Sequence, residues 1–203
     1  MISVAIIDDH YVVRVGIRTI VEMDDELSFA GEAEDGLLAK EFVLRVRPDV
    51  LLLDIRMPKR DGLECLSDIL SANPAQKVVM LTTSDTDEEV YQALLLGAKG
   101  YLLKDRDSND ICRAVKTVAA GGRFIPDAVK EIYNRRKLMD DLTPRERDVL
   151  TLAAQGRTNE EIASALAIAY ESVKVHMKHL FEKFGASSRA ELVSAAFRRG
   201  FAK

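Results

Sequence analysis

A small set of acidic, hydroxyl and basic residues in the first half of the sequence lies at the ends of short apolar runs. The set consists of Asp8, Asp9, Asp54, Thr82 and Lys104. Crowded carboxylates repel one another, and a divalent cation such as Mg²⁺ relieves that repulsion by taking oxygen ligands. A carboxylate beside the cation can attack a phosphoryl donor and form an acyl phosphate, while lysine and threonine supply a positive charge and a hydroxyl donor. These residue types predict phosphoryl transfer, provided that the fold brings them together.

Each of these residues also has a purely structural interpretation when it is taken alone. Asp9 could cap the following helix, and Asp54 could be a turn residue near Pro58. Thr82 suits a strand, and Lys104 is one of many lysines that could lie at the surface. The joint pattern favours chemistry, because strand ends of this kind can meet at one crevice of a sheet.

The first 120 residues alternate between apolar runs and amphipathic stretches. The runs are residues 2–7, 27–33, 49–54, 77–82 and 100–103, and the helical patterns lie near 11–23, 36–46, 62–72, 87–97 and 108–120. Continuous apolar strands that alternate with helices indicate a parallel sheet covered on both faces. Five such units predict a doubly wound α/β domain with a five-stranded parallel sheet, which places ligands at the C-terminal ends of its strands.

A helical segment with well-marked ends follows the predicted α/β domain. Pro126 and Asp127 suit a helix start, and the basic residues at 135–137 suit a helix end, where cations complement the helix dipole. We therefore predict a linker helix over residues 126–138 and a hinge over residues 139–142.

The rest of the sequence is helical, and three helix starts have the pattern of a capping box, in which a hydroxyl and a later glutamate satisfy free backbone N–H groups. The pairs are Thr143 with Glu146, Thr158 with Glu161, and Ser188 with Glu191. The expected helix stops are Gly156, Gly185 and Gly200. A further helix after Ala169 makes four short helices, with the middle pair joined by a tight turn. This arrangement is typical of a helix-turn-helix module.

The stretch LAIAYESVKVHMKHLFEKFG, residues 166–185, contains His176 and His179 about one helical turn apart. The stretch has three interpretations: a metal site, a helix that reads DNA, and a buried helix with polar edges. A structural zinc site needs four protein ligands, and neither a cysteine nor a third histidine lies nearby in the sequence. Metal binding is therefore disfavoured.

The helical period of the same stretch separates an apolar face from a polar one. The predicted apolar face consists of Val173, Met177, Leu180 and Phe184. Residues 172–203 include seven basic and two acidic residues, a net charge of +5, which points to a polyanion as the partner. On the opposite face, Lys174 and Lys178 can serve phosphates or guanine edges, and Val175 can meet a thymine methyl group. The pattern favours double-stranded DNA as a partner.

Composition disfavours several classes of protein. The two cysteines, Cys65 and Cys112, lie far apart, which indicates a reducing compartment and no disulfide framework. The N-terminus lacks the basic region and the long apolar core of a signal peptide, and no segment approaches the roughly 18 apolar residues of a membrane span. We expect a cytoplasmic globular protein with no membrane partner.

The motifs IIDDH, LLLDIRMP, VVMLTT and GYLLKD occur in the order and approximate spacing of the receiver domain of bacterial response regulators. Residues 2–121 resemble that domain, which implies a flavodoxin-like receiver domain over residues 1–122. By its position in these motifs, Asp54 corresponds to the residue that is phosphorylated in receiver domains. The resemblance also implies Mg²⁺ as the cofactor, held by Asp8, Asp9, Asp54 and the backbone carbonyl of Arg56.

The same resemblance implies how the phosphoryl group is sensed. Thr82 and Lys104 match the two residues that respond to it, and Tyr101 matches the aromatic residue whose rotation accompanies switching. Asp105 departs from the proline that many receivers have after the lysine.

Residues 142–196 resemble the LuxR-type DNA-binding module of the NarL/FixJ subfamily, which often has aspartate at the position of Asp105. The resemblance implies a linker helix and hinge over 123–141 and a helix-turn-helix domain over 142–203. The DNA-binding residues are then Lys174, Val175 and Lys178, which match base-contacting positions, with Ser172 and His179 from the same helix.

Together, the two resemblances imply a two-component response regulator that controls transcription. They imply phosphorylation by a sensor histidine kinase, formation of a homodimer when phosphorylated, and sequence-specific binding to DNA. They imply no catalytic residue, because the protein is then a regulator and not an enzyme.

Three other classes of function compete with this interpretation. A constitutive DNA-binding protein could use the first domain only as a dimerisation scaffold, although the complete acidic site argues against it. A phosphatase with an aspartyl nucleophile would use the same Asp54, but Arg56 occupies the place of its usual second aspartate. A flavodoxin-like cofactor binder is disfavoured because the first strand ends in Asp-Asp-His and not in a phosphate-cradling loop.

Overall fold

The computed structural model describes residues 1–83, 86–104, 108–198 and 201, but not the side chains of residues 108, 139 and 140. The chain divides into two compact units. Met1–Tyr133 is called the α/β unit below, and Asn134–Lys203 the helical unit. Among the described helices, none is long and apolar enough to cross a membrane.

The α/β unit is built on five parallel strands. They are β1 (Ile2–Ile7), β2 (Leu27–Ala33), β3 (Val50–Asp54), β4 (Lys77–Thr82) and β5 (Gly100–Leu103). The strands pair in the order β2-β1-β3-β4-β5. The predicted doubly wound parallel sheet is therefore confirmed. β3 is buried along its whole length, as a central strand covered on both faces must be.

Five helices cover the two faces of this sheet. They are α1 (Tyr11–Glu22), α2 (Ala39–Val46), α3 (Gly62–Ala72), α4 (Asp87–Leu96) and α5 (Ser108–Ala119). One apolar cluster contains residues of α2, α3 and α4, including Phe42, Leu66 and Val90. The other contains residues of α1 and α5, including Ile17 and Val115.

The α/β unit extends beyond residue 122, where the sequence predicted its end. Phe124 pairs with the free edge of β5, because the Tyr101 N–H donates to the Phe124 carbonyl at 2.9 Å and the Phe124 N–H donates to the Lys99 carbonyl at 3.0 Å. The next helix, α6 (Asp127–Asp141), buries Val129 in the apolar cluster of α4. The rings of Tyr133 and Tyr91 lie 5.6 Å apart. These contacts attach residues 123–133 to the α/β unit and explain why the division falls at residue 133.

The end of α6 also differs from the prediction. The helix continues to Asp141, so the predicted end at residue 138 is wrong and residues 139–141 of the predicted hinge are helical. The reason is a cation supplied from elsewhere in the helical unit, since the Lys183 ammonium donates to the Asp141 carbonyl at 2.7 Å. Leu142 follows directly and is buried in the core of the helical unit.

The helical unit contains the four helices that the sequence predicted. They are α7 (Pro144–Ala154), α8 (Asn159–Leu166), α9 (Tyr170–Phe184) and α10 (Arg189–Arg198), which surround one apolar core. The capping boxes at Thr143 and Thr158 are both formed.

The third capping box forms differently from the prediction. The Ser188 hydroxyl accepts the Glu191 N–H at 3.2 Å, but the Glu191 carboxylate accepts the N–H and the hydroxyl of Ser187, at 2.8 and 2.7 Å. Gly156 and Gly185 have positive φ angles of 81° and 65° just after α7 and α9, as helix-ending glycines do. Gly200, the third predicted stop, lies outside the described residues.

A glycine controls how closely α3 approaches the end of β3. A Cβ atom at Gly62 would lie 2.0 Å from the Asp54 carbonyl oxygen and 2.8 Å from the Ile55 Cα. We expect Gly62→Ala to displace the strand end or the helix start, and to lower the free energy of unfolding by about 1–3 kcal/mol. Denaturant unfolding of the full chain measures this change.

Gly16 in α1 provides a matched control, because a Cβ atom there meets nothing within 4 Å. Gly16→Ala should be neutral or should stabilise the protein by roughly 0.5–1 kcal/mol, since alanine loses less backbone entropy in a helix. If Gly62→Ala were as stable as the wild type, the close approach of α3 to Asp54 would be refuted.

Candidate functional site

Three strand ends of the α/β unit meet at one ammonium group. Asp8 directly follows β1, Asp54 ends β3, and Lys104 directly follows β5. The Lys104 Nζ lies 2.8 Å from the Asp8 Oδ2 and 2.9 Å from the Asp54 Oδ2. All three side chains are nearly excluded from solvent, at 8% exposure or less. The sequence-based expectation that these residues lie together agrees with this geometry.

β4 holds the Lys104 end of the site in place. The Lys104 N–H donates to the Thr82 carbonyl at 2.7 Å, and the Ile55 N–H donates to the Leu81 carbonyl at 3.0 Å. The first bond joins the end of β4 to the residue that follows β5, and the second joins it to the residue that follows β3. Thr82 itself is fully buried at the end of β4. The main chain thus places Thr82, Lys104 and Asp54 on neighbouring strand ends.

The charges at this site are set by burial and by each other. Burial raises the pKa of Asp54 above its ordinary value, and the Asp8 carboxylate acts in the same direction, against the lowering effect of Lys104. Burial acts to lower the pKa of Lys104, but its contacts with Asp8 and Asp54 outweigh burial and leave that pKa above its ordinary value. Lys104 is therefore a stable cation between two crowded carboxylates.

The acidic cluster includes one residue that the sequence analysis did not select. The possible ligand atoms of Asp8, Asp9, His10 and Asp54 all lie within 4.8 Å of one another. The His10 Nδ1 lies 2.6 Å from the Asp9 Oδ1 and 3.4 Å from the Asp8 Oδ1, and its ring is 59% exposed. The signal was available, because the histidine directly follows the two aspartates in the sequence.

Arg56 has separate roles for its main chain and its side chain. Its N–H donates to the Asp54 Oδ1 at 3.3 Å. Its guanidinium instead forms a two-pronged contact with Glu89 at the start of α4, with N–O distances of 3.0 and 3.1 Å. The loop after Asp54 is thereby linked to α4.

Tyr101 lies on β5 and has no solvent exposure. It belongs to the apolar cluster that includes Val90 of α4 and Val129 of α6. Rotation of the Tyr101 ring would therefore change the packing of a cluster that includes residues of α4 and α6. A role of Tyr101 in switching stays a prediction.

In the helical unit, α9 has the two faces that the sequence predicted. Its buried residues are Val173, Met177, Leu180 and Phe184. Lys174, Val175 and Lys178 are exposed, at 51%, 52% and 76%. The Lys174 Nζ lies 3.0 Å from the Glu171 Oε2, and the Lys178 Nζ lies 3.9 Å from the Glu182 Oε1.

The start of α9 has no side-chain cap, because Ala169 occupies the N-cap position. The Ser172 N–H donates to the Ala169 carbonyl at 3.0 Å, and Ser172 is half-buried. An alanine in place of a serine or threonine cap costs about 1 kcal/mol of helix stability. The first turn of α9 is thus less strongly held than those of α7 and α8.

A buried glutamate joins α9 to the start of α7. Glu146 is 2% exposed, accepts hydrogen bonds from the Thr143 N–H and hydroxyl, and lies 2.7 Å from the Lys183 Nζ. Burial acts to raise the pKa of Glu146, but Lys183 and Thr143 outweigh it and hold that pKa below its ordinary value. The His179 Nδ1 lies 3.7 Å from the same carboxylate. His179 is therefore half-exposed and lies beside the buried Glu146.

Two family models match this chain. The model described as response regulator receiver domain matches residues 4–116, and the model described as bacterial regulatory proteins, luxR family, matches residues 140–196. Together, the fold and the acidic site define a response regulator with a receiver domain and a LuxR-type domain.

Relatives of known name agree with this class. The chain is 36% identical over 198 residues to the nitrate/nitrite response regulator protein NarL of Escherichia coli, over 93% of this chain and 92% of that protein. It is 37% identical over 202 residues to response regulator protein VraR of Staphylococcus epidermidis, over 97% of each. A solved complex of the two-component response regulator RcsB with DNA matches 97% of this chain and 98% of that chain, with a TM-score of 0.62 and 26% identity. The chain belongs to the NarL/FixJ family of response regulators, which are transcription regulators and not enzymes.

Proposed function

We propose that Asp54 accepts a phosphoryl group from a sensor histidine kinase, and that this modification controls DNA binding by the helical unit. The observation that carries the proposal is the Lys104 ammonium, which lies within 2.9 Å of both the Asp8 and the Asp54 carboxylates. This arrangement places a cation against a buried nucleophilic carboxylate that has further acidic groups beside it. The same chain has a helix with an exposed basic face.

The acidic cluster fits Mg²⁺, because it offers several carboxylate oxygens within 4.8 Å of one another. Asp8, Asp9, Asp54 and the backbone carbonyl of Arg56 would hold the ion. When bound, Mg²⁺ would offset the repulsion among the carboxylates and the charge of an incoming phosphoryl group. His10 is the neighbouring group with which the ion would compete for Asp9.

The chemical step uses the carboxylate of Asp54 as the nucleophile. One carboxylate oxygen forms a bond to phosphorus while the bond from phosphorus to the donor's nitrogen or oxygen breaks, and the donor leaves with that electron pair. Lys104 stabilises the charge on the phosphoryl oxygens, and the Thr82 hydroxyl donates to them. The side chains supply position and charge, which are the main requirements of phosphoryl transfer.

The new charge of roughly −1.5 to −2 on Asp54 gives Lys104 and Thr82 a different partner. We propose that both side chains move toward it and that Tyr101 repacks in response. Three contacts would transmit the change: Arg56 with Glu89 of α4, Phe124 with β5, and Tyr133 with Tyr91 of α4. Phe124 precedes α6 and Tyr133 lies within it, so these two contacts connect the linker helix to β5 and α4. Formation of a homodimer would follow phosphorylation.

In the helical unit, α9 would enter the major groove of double-stranded DNA. Lys174, Val175 and Lys178 would contact bases, with Ser172 and His179 beside them. In the free protein the two lysines pair with glutamates of their own helix, and exposed pairs of this kind are weakened by the surrounding water. Exchanging them for DNA contacts is therefore inexpensive. A DNA-binding regulator with these partners would act in the cytoplasm without a membrane partner.

Phosphorylation of the full chain by acetyl phosphate with Mg²⁺ tests the first half of the proposal. We expect intact-protein mass spectrometry to detect one added phosphoryl group on the wild type. Asp54→Asn should gain none, because an amide cannot form the acyl phosphate. Removal of Mg²⁺ with a chelator should suppress the labelling. Equal labelling of the wild type and Asp54→Asn would rule out Asp54 as the acceptor.

Lys178→Ala tests groove insertion of α9. A duplex selected from a random double-stranded pool by the phosphorylated wild type serves as the probe, and fluorescence anisotropy gives the affinity. A base contact predicts a loss of about 1–3 kcal/mol, and a phosphate contact predicts a salt slope reduced by about one.

Lys40→Ala is the matched control for charge, since Lys40 is an exposed lysine of α2 in the other unit. It removes the same charge from the chain and should leave the affinity within twofold of the wild type, or about 0.4 kcal/mol. If Lys178→Ala bound the duplex like Lys40→Ala at every salt concentration, α9 would not be the DNA-reading helix.

A further inference from the structure

Arg14 occupies a position on α1 where an apolar residue would ordinarily be expected. The buried residues of this helix are Arg14, Ile17 and Val21, which share its core-facing side at helical spacing. Arg14 is 7% exposed. An arginine at such a position must keep its charge and donors satisfied inside the protein, whereas leucine or methionine would only need to fill space.

The guanidinium of Arg14 is satisfied mainly by the site described above. Its Nη1 donates to the backbone carbonyl of Asp8 at 2.8 Å, in a buried hydrogen bond. Its Nε lies 3.5 Å from the Glu32 Oε1 on β2, and the guanidinium carbon lies 5.7 Å from the centre of the Tyr11 ring. The shortest of these contacts is thus to the main chain that joins Asp8 to Asp9.

That carbonyl sets the direction of the next residue. A peptide unit is planar, so fixing the Asp8 carbonyl also fixes the Asp9 nitrogen and Cα atom. The other polar atoms of Asp8 are already bound: its N–H donates to the Ala33 carbonyl at 3.2 Å, its Oδ1 accepts the His10 N–H at 2.8 Å, and its Oδ2 pairs with Lys104. The hydrogen bond from Arg14 restrains the one polar atom of Asp8 that is left, the carbonyl oxygen of the peptide that leads to Asp9.

Arg18 shows what an arginine on the same helix does without this contact. It lies about one turn further along α1 and pairs with the same Glu32 carboxylate, but its side chain is 42% exposed and its guanidinium lies over Phe29. Pairing with Glu32 therefore does not require a buried arginine. The feature that distinguishes Arg14 is its bond to the Asp8 carbonyl.

We propose that Arg14 is a positioning residue for the metal and phosphoryl site, because it holds the Asp8–Asp9 peptide so that the Asp9 carboxylate faces the ion. This inference rests on the proposed function, in that it assigns Mg²⁺ to the acidic cluster. Groups that orient metal ligands through hydrogen bonds typically change metal affinity by about 10- to 100-fold when they are removed. Arg14 acts on Mg²⁺ affinity more than on the chemical step.

The test measures the rate of acetyl phosphate labelling of the full chain as a function of Mg²⁺ concentration. In Arg14→Leu, the Mg²⁺ concentration that gives the half-maximal rate should rise by about 10- to 100-fold, while the rate at saturating Mg²⁺ stays near that of the wild type. Arg14→Lys should lie between the two, because its ammonium can still donate to the Asp8 carbonyl. Arg18→Leu is the matched control and should match the wild type.

Calorimetric titration of Mg²⁺ into the same four proteins gives a second readout that needs no phosphorylation. It should rank the affinities in the same order. If Arg14→Leu is too unstable to purify, Arg14→Lys against Arg18→Leu decides the question in the same way. The inference would be overturned if the folded Arg14 variants had the same labelling rate at each Mg²⁺ concentration, and the same Mg²⁺ affinity, as the wild type. Arg14 would then be a purely structural residue.

The two proposals fail separately. Absence of labelling in the wild type would contradict the phosphorylation of Asp54, whereas the calorimetric comparison would still decide whether Arg14 positions the metal ligands. Normal labelling of the wild type with an unchanged Mg²⁺ requirement in Arg14→Leu would contradict only the role of Arg14.

Discussion

The ammonium group of Lys104 lies between the Asp8 and Asp54 carboxylates, at 2.8 and 2.9 Å, with all three side chains nearly excluded from solvent. Removing one partner from a buried ion pair destabilises a protein by about 3–5 kcal/mol, because a charge is left without compensation. The three residues come from distant parts of the chain. They meet only if β1, β3 and β5 end at the same edge of the sheet, so the parallel strand order and this charge cluster depend on each other.

The helical unit depends on a smaller network of the same kind. Glu146 is buried and binds Thr143 at the start of α7 and Lys183 on α9, while Lys183 also donates to the Asp141 carbonyl at the end of α6. The end of the linker helix and the proposed DNA-reading helix therefore share one lysine. The contact between the Lys183 ammonium and the Asp141 carbonyl thus joins the end of α6 directly to α9.

The sheet and most helix starts could be predicted from the sequence, because continuous apolar runs and capping residues are local signals. The polar residues at the strand ends predicted the acidic site for the same reason. The length of α6 could not be predicted, since its final turn depends on Lys183, far along the chain. Pairing of Phe124 with β5 is likewise non-local. Burial of Arg14 did have a local signal, its helical spacing with Ile17 and Val21, but only the structure identifies the carbonyl that it binds.

We propose that phosphorylation of Asp54 controls DNA binding. Its most direct test is the affinity of the full chain for its selected duplex, measured with and without acetyl phosphate and Mg²⁺, for the wild type and for Asp54→Asn. We expect acetyl phosphate to strengthen DNA binding by the wild type, by roughly 5- to 150-fold as for typical coupled sites, and to leave binding by Asp54→Asn unchanged. An equal affinity of the wild type in both conditions would contradict it, and so would the same gain in Asp54→Asn.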